Sequence, residues 1–503
     1  MHFINNHYHQ NHSSSSPMAS RELHFLLVPL LSQSHLIPFT EMAKVIASHG
    51  VNVTIVLTPL NATRFSNVLD QANALNLKIQ FLSLPFPSHE VGLPQGCENM
   101  DTLPSPECFP LFFEASIMLQ KPLEKWLTEL ETIPSCIISD FCLPWTANVA
   151  SKFKIPRIVF HAISCFSLSC SQHINLSGVL EKVTSMSEPF LVPGLPDKIE
   201  FTKAQLPEEM KQVKDLNSAL DQFKAAEASA EGILVNTFLE LEPMYVKGYE
   251  QVVRKIWCIG PLSLSGKLIS KRSETSDQLS IEEEPEWLKF LNSNKPSSVI
   301  YVCFGSLYHL SAPQSTELAL GLEASNQPFI WAIGKSNYSR ELQKWLAEEN
   351  YEERIKGRGV IIRGWAPQVQ ILSHPATGGF LTHCGWNSTL EGVSAGLPMI
   401  TWPLSAEQFY NEKLIVQVLK IGVRIGVEAS VEPTETEKGG GGVGEIVRKE
   451  DISKAINELM DKGEQRRERA KELGERAREA VEEGGSSHWN CKLFIQHVMG
   501  RAC

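Results

Sequence analysis

The apolar positions alternate between short continuous runs and longer stretches of helical spacing. Leu23–Pro29 and Val51–Thr58 are dense in branched and large apolar residues, which predicts two buried strands. Between them, Ile37–His49 has helical spacing and stops before Gly50. Lys78–Leu84, Cys136–Asp140, Pro156–Phe160 and Gly232–Thr237 repeat the strand pattern. Continuous apolar strands separated by helices predict a parallel sheet covered on both faces. Residues 263–285 are rich in Ser, Lys and Glu, show no period and read as a linker. The alternation then restarts. Ser298–Phe304, Phe329–Ile333, Val360–Arg363, Gly379–His383 and Pro398–Trp402 predict strands, with helices near Ala312–Ala324 and from about Asn387. Gln465–Glu483 predicts a charged surface helix, broken by Gly484-Gly485. Trp489–Met499 is amphipathic and is expected to bury its apolar face by crossing back to the first domain.

The expected organisation is therefore an α/β chain of two doubly wound domains facing a cleft. It comprises a leader over 1–20, a first domain over 21–262, the linker over 263–285, a second domain over 286–484 and a terminal helix over 485–503. The length of 503 residues agrees, since one core stops growing near roughly 250–300 residues. The leader is rich in His, Asn and Ser, holds no apolar stretch suited to a signal peptide, and leaves Met1 and Met18 as alternative starts. Gly439–Gly444 lacks the Lys-Ser/Thr ending of a phosphate-binding loop and reads as a flexible turn.

A formal net charge of −11 argues against nucleic acid as a partner but leaves room for a locally positive anion site. The eleven cysteines form no C-x-x-C pair and read as buried thiols in a reducing compartment, the cytoplasm. No run of about 18 apolar residues predicts a membrane span.

Ligands of open α/β sheets bind where strands end. One such end is His383, followed by Cys384-Gly385-Trp386-Asn387-Ser388-Thr389. Gly385 suits a tight turn, Asn387-Ser388-Thr389 are capping types, and free backbone N–H groups at a helix start attract an anion. The same residues would also make an ordinary capped helix. Their neighbours favour the nucleotide: Trp365 offers a flat face for a base, Gln368 an amide for the ring or ribose, Glu391 a carboxylate for ribose hydroxyls. Glu407-Gln408 follow the next strand and suit sugar hydroxyls.

Trp365 to Gln408, 44 residues with Trp365-Ala366-Pro367-Gln368, His383-Cys384-Gly385-Trp386-Asn387-Ser388 and the closing Glu407-Gln408, resembles the signature box of plant family-1 UDP-dependent glycosyltransferases. The likeness runs over nearly the whole chain beyond the leader. It implies a GT-B fold with two Rossmann-like domains and UDP-glucose as donor, without a metal. It implies Trp365 and Ala366 beside the uracil, and Gln368 with Glu391 on the nucleoside. His383, Asn387, Ser388 and Ser306 would hold the phosphates, and Trp386, Glu407 and Gln408 would border the sugar. In that family a final Gln goes with glucose. The family also places its catalytic base in the loop after the first strand. That points to His35 of Ser32-Gln33-Ser34-His35, where Ser34 departs from the usual Gly. Asp140, at the end of Cys136–Asp140, would orient the imidazole; its alternative role is to cap the following helix. The implied reaction is inverting O-glucosylation by a monomer.

Gly392-Val393-Ser394-Ala395-Gly396 fits a hydrolase pattern but lacks the preceding strand. No G-x-G-x-x-G follows the first strand, which argues against a dinucleotide enzyme. A non-catalytic UDP-sugar-binding protein would not need the His35/Asp140 pair. Phe109–Phe113, Phe141, Trp145, Phe166 and Phe201 are candidate acceptor contacts, equally explicable as core. The stretches Gly92–Asp101 and Pro193–Lys203 resemble a subgroup acting on flavonoids, triterpenoid sapogenins and steroids, which leaves the acceptor open. Galactose or glucuronic acid donors, and simple phenol or cytokinin acceptors, also stay open.

Overall fold

The computed structural model describes residues 22–211, 219–271, 284–305, 307, 310–334, 338–430 and 446–502. The leader over 1–20, Gly439–Gly444 and Ser306 lie outside the described residues.

The strands follow in chain order as β1 (His24–Val28), β2 (Asn52–Leu57), β3 (Ile79–Ser83), β4 (Cys136–Asp140) and β5 (Arg157–His161). A small antiparallel pair, β6 (Phe190–Leu191) and β7 (Glu200–Phe201), precedes β8 (Gly232–Val235) and β9 (Ile256–Cys258). The second half contributes β10 (Val299–Cys303), β11 (Phe329–Ile333), β12 (Gly359–Arg363), β13 (Thr377–Thr382), β14 (Met399–Thr401) and β15 (Gly422–Arg424). The first sheet is parallel with order β3-β2-β1-β4-β5-β8-β9, and the second is parallel with order β12-β11-β10-β13-β14-β15. In each sheet the winding reverses beside its first strand, between β1 and β4 and between β10 and β13. These are the switch points at which doubly wound sheets open a crevice. The architecture is GT-B, two Rossmann-like units.

The central strands are buried because both faces are covered, while the edge strands β3 and β12 keep partial exposure. Phe39, on the helix Gln33–Ser48, meets Phe160 edge-on at 4.9 Å. A single apolar cluster runs from Val159, Ile233 and Val235 of the first sheet to Tyr301, Phe380 and Met399 of the second, so the two units share a core seam. The helix Ser486–Ala502 lies on the first sheet, with the Phe494 ring 5.5 Å from Phe25 and 5.4 Å from Trp257.

Two elements differ from the sequence reading. The stretch read as a linker begins with a helix, Leu262–Lys271, packed on Gln33–Ser48; residues 272–283 lie outside the described residues. Contact at Gly266 is so close that a Cβ there would fall 1.5 Å from Glu41 Oε2. The helix expected to start at Ile37 starts at Gln33, so His35 is its third residue and Pro38 lies inside it.

Candidate active site

The two switch points face each other. On the first, β1 leads through Leu30–Ser32 into the helix bearing His35, and β4 ends in Asp140. Because β1 and β4 are neighbours in register, with Val28 beside Ser139, the two side chains meet: His35 Nδ1 lies 2.7 Å from Asp140 Oδ2. The second carboxylate oxygen, Oδ1, accepts the Cys142 amide at 3.1 Å. Asp140 is thus spent on the imidazole and the backbone after β4, and it does not cap the helix Thr146–Phe153.

Burial alone would lower His35. The Asp140 charge and hydrogen bond, then the charges of Glu407 and Asp101, outweigh it and hold His35 above 6.5. Burial would raise Asp140, but His35 and the Cys142 and Leu30 amides hold it below the usual carboxylate value. The side chain of His35 is 26% exposed and that of Asp140 2%, so the imidazole reaches the cleft while its partner stays behind it.

Pro38 has no N–H to offer the carbonyl four residues back, which is Ser34. That carbonyl accepts Asn387 Nδ2 at 2.6 Å across the cleft. The loop that bears His35 and the start of the helix Trp386–Ser394 are therefore in direct contact.

On the second switch point, β13 ends at Thr382 and His383 follows. Gly305 and Gly385 flank its ring so closely that a Cβ would come within 2.8 Å and 2.4 Å of it. Burial pushes His383 down to about 4, against a hydrogen bond to the Cys303 backbone that favours the charged form, so the ring is neutral. Cys384 and Ala406 take the left-handed conformation, φ 65° and 52°, in the two turns that precede the helices bordering the cleft. Non-glycine residues pay for that conformation, and such strain clusters where side chains must be aimed.

The helix-start residues do not cap it. Neither Asn387 nor Ser388 bonds the free amides: Asn387 turns to Ser34, Ser388 Oγ accepts Gln368 Nε2 at 3.1 Å, and the Trp386 amide is taken by Glu407. Gln368 Nε2 also donates to Glu391 Oε2 at 2.9 Å, which gathers the three groups expected near the nucleoside and phosphates. Trp365 is 75% exposed, an open indole face beside them, and Ala366 is half-buried against the core. Two residues expected to border the sugar sit deeper. Trp386 is 2% exposed and its Nε1 donates to the Asn236 carbonyl at 2.8 Å, pegging the two units together. Gln408 is buried, and its Oε1 accepts the Leu404 and Ser405 amides at 2.8 and 3.1 Å, which leaves only its Nε2 as a donor. Glu407 interacts with both His35 and the Trp386 amide, although burial lifts its carboxyl above the usual range.

Among the acceptor candidates, Phe112, Trp145, Phe166 and Phe201 are closed into the core; Phe166 packs edge-on to Tyr245 and Phe201 to Tyr410. Phe109, Phe113 and Phe141 keep partial exposure. Ser394 is buried within its helix with Oγ on the Leu390 carbonyl, so it is no nucleophile elbow. Among the described residues no group of three or more His, Cys, Asp or Glu could hold a metal ion, and no helix is long and apolar enough to cross a membrane.

The sequence reading missed Asp101, Arg64 and Gln33. Asp101 accepts the Gln33 amide at 3.1 Å and Arg64 Nη1 at 3.3 Å, and Arg64 Nη2 also bonds Gln33 Oε1. Only a three-residue polar run ahead of His35 hinted at a loop needing partners.

The model of the family described as "UDP-glucoronosyl and UDP-glucosyl transferase" matches residues 116–430. UDP-glycosyltransferase 73C3 of Arabidopsis thaliana is 49% identical over 483 residues, covering 95% of this chain and 96% of that protein. The structure of Glycyrrhiza uralensis UGT73P12 complexed with glycyrrhetinic acid 3-O-monoglucuronide superposes with a TM-score of 0.84 at 36% identity, covering 95% of this chain and 96% of that one. Phytolacca americana UGT2, complexed with UDP-2fluoro-glucose and pterostilbene, superposes with a TM-score of 0.71 at 27% identity, covering 96% and 100%. Signature box, paired Rossmann-like sheets and full-length likeness agree, and the chain belongs to the plant family-1 UDP-glycosyltransferases.

Proposed function

We propose that this enzyme transfers glucose from UDP-glucose to a hydroxyl of a triterpenoid sapogenin or flavonoid, with inversion. The observation that carries the reading is the His35–Asp140 pair, at 2.7 Å, facing the helix start at Trp386. The first unit holds the acceptor and the second the donor. His35 Nε2 takes the proton of the acceptor hydroxyl as its oxygen attacks the anomeric carbon. The bond to UDP breaks on the opposite face, and its electron pair leaves with the diphosphate. Neutral His383, the Asn387 and Ser388 amides at the helix start and the side chains of those two residues stabilise the charge that develops there. Gln408 Nε2 and Glu407 meet the glucose hydroxyls. The likeness to a protein crystallised with a triterpenoid glucuronide, and to one crystallised with a fluoroglucose donor and a stilbene, supports a bulky apolar acceptor and a glucose donor. Ten free cysteines among the described residues support a reducing, cytoplasmic setting, and one chain supplies every group, which supports a monomer.

The test is UDP release with UDP-glucose, UDP-galactose and UDP-glucuronic acid, each against sapogenins, flavonols and simple phenols. Highest kcat/KM for UDP-glucose with a sapogenin or flavonol is expected. Preference for another donor would overturn the sugar assignment, and preference for simple phenols the acceptor assignment.

A second expectation concerns the donor face. Trp365→Ala should weaken UDP binding by about 1–3 kcal/mol, the worth of one base stacked on an aromatic ring. Because the indole is exposed, the melting temperature should stay close to that of the parent. UDP affinity equal to wild type by calorimetry would remove Trp365 from the uracil site.

A further inference from the structure

We propose that Asp101 is a positioning residue for the transfer reaction: it caps the helix that carries His35 and fixes the Ser32–His35 turn against the donor half of the cleft. The inference rests on His35 being the base.

The geometry starts from an absence at the helix itself. Ser32 occupies the N-cap position, yet its hydroxyl makes no capping bond. A helix start leaves its first amides without partners. Here Asp101, from the turn Met100–Thr102, supplies the missing acceptor: Oδ2 takes the Gln33 amide at 3.1 Å, and Oδ1 takes the Ser32 hydroxyl at 3.4 Å. A carboxylate at a helix N-terminus is also favoured by the helix dipole. The Ser32 hydroxyl continues to the Ser34 hydroxyl at 3.1 Å, and the Ser34 carbonyl receives Asn387. A run of contacts thus leads from Asp101, past the base, to the opposite side of the cleft.

Asp101 is itself held from several sides. The Met100 amide donates to the Leu31 carbonyl at 2.9 Å, and the Asp101 amide donates to Asn99 Oδ1 at 3.0 Å. Asn99 Nδ2 bonds Asn61 Oδ1 at 2.9 Å, and Asn61 Nδ2 reaches the Glu98 carbonyl at 2.9 Å. Arg64 balances the carboxylate and ties Gln33 as well. The segment that ends in Asp101 therefore clamps the turn after β1 to the helix after β2. Asp101 touches neither reacting atom; it acts through His35.

It also acts by charge. The charged groups facing His35 are Asp140 at the end of β4, Glu407 from the turn after β14 and Asp101 from its own turn, and all three favour the imidazolium. A merely structural cap would leave the titration of His35 alone.

The experiment compares Asp101→Asn and Asp101→Ala with wild type in kcat, KM for UDP-glucose, UDP affinity and the pH profile of kcat/KM. Asp101→Asn keeps an oxygen for the Gln33 amide but loses the charge; its acid limb should move to lower pH at unchanged UDP affinity. Asp101→Ala should lower kcat about tenfold, as small misplacements of a reacting group do, with KM for UDP-glucose within about twofold of wild type. Wild-type kcat and an unmoved acid limb in both variants would overturn the proposal, whatever happens to the melting temperature. Should the Ala variant not fold, the isosteric Asn variant decides by the same two readouts. If His35→Ala itself retains turnover, the base assignment fails. If that variant is inactive while Asp101→Asn matches wild type, only this inference fails.

Discussion

Replacing His35 with Ala is expected to slow transfer by roughly 10²–10⁴-fold, the usual contribution of a general base, while UDP binds as before. The separation of effects follows from where the groups sit. His35 belongs to the first sheet's switch point and its ring bonds Asp140, whereas Trp365, Gln368, His383 and Glu391 all belong to the second. Removing the imidazole therefore leaves the donor groups in place. The pH dependence sharpens the expectation. A base must be neutral to accept a proton, so activity is lost as pH falls through the pKa of His35. Because its neighbours hold His35 above 6.5, the acid limb should lie on the neutral side of an ordinary histidine. In His35→Ala the residual rate should lose that limb. Single-turnover rates and UDP calorimetry on the two proteins check both points, and turnover within twofold of wild type would remove His35 from the chemistry.

The sheets were legible in the sequence because parallel strands buried on both faces carry continuous apolar runs, and the runs ending at Asp140 and near His383 did so within a residue or two of the actual strands. Given the resemblance, His35, Asp140 and the groups from Trp365 to Gln408 could be named, and the structure brings His35 to Asp140 and Gln368 to Ser388 and Glu391.

What escaped is tertiary. Local rules start the first helix at Ile37, where Pro38 suits a first turn. The chain starts it at Gln33 because Asp101, 68 residues away, accepts the Gln33 amide. Local rules likewise make Asn387 a helix cap, but the side chain goes to Ser34, whose carbonyl Pro38 has left open. The helix Leu262–Lys271 carries only a few apolar residues among Ser and Lys, and it owes its place to Gly266 lying against Glu41. Burial of single aromatics was equally illegible: Phe141 and Phe166 read alike in sequence, yet only Phe166 is sealed in the core.

Asp140→Asn should be nearly as damaging as loss of His35, for a reason that concerns the proton rather than the fold. In the wild type, Oδ2 faces His35 Nδ1 and Oδ1 accepts the Cys142 amide. An ionised carboxylate only accepts, so Nδ1 carries the proton and Nε2 is left as the basic nitrogen toward the cleft. Asparagine must keep its oxygen on the Cys142 amide, since an NH2 group there would oppose a donor. Its NH2 then faces Nδ1, which becomes an acceptor, and the ring proton moves to Nε2. The base presents a proton where it should receive one. A fall of roughly 10²–10⁴-fold in kcat is expected at unchanged UDP affinity, because removing the orienting carboxylate of such a pair costs about as much as losing the base. The carboxylate's charge is lost too, and burial then acts on His35 with less opposition, so any residual activity should show its acid limb at lower pH. Two groups that act as one unit do not add. The double variant His35→Ala/Asp140→Asn should therefore be no slower than His35→Ala alone. A further drop by the full factor of Asp140→Asn would show that Asp140 works independently of the imidazole, and a single variant within twofold of wild type would show that it does not work on it at all.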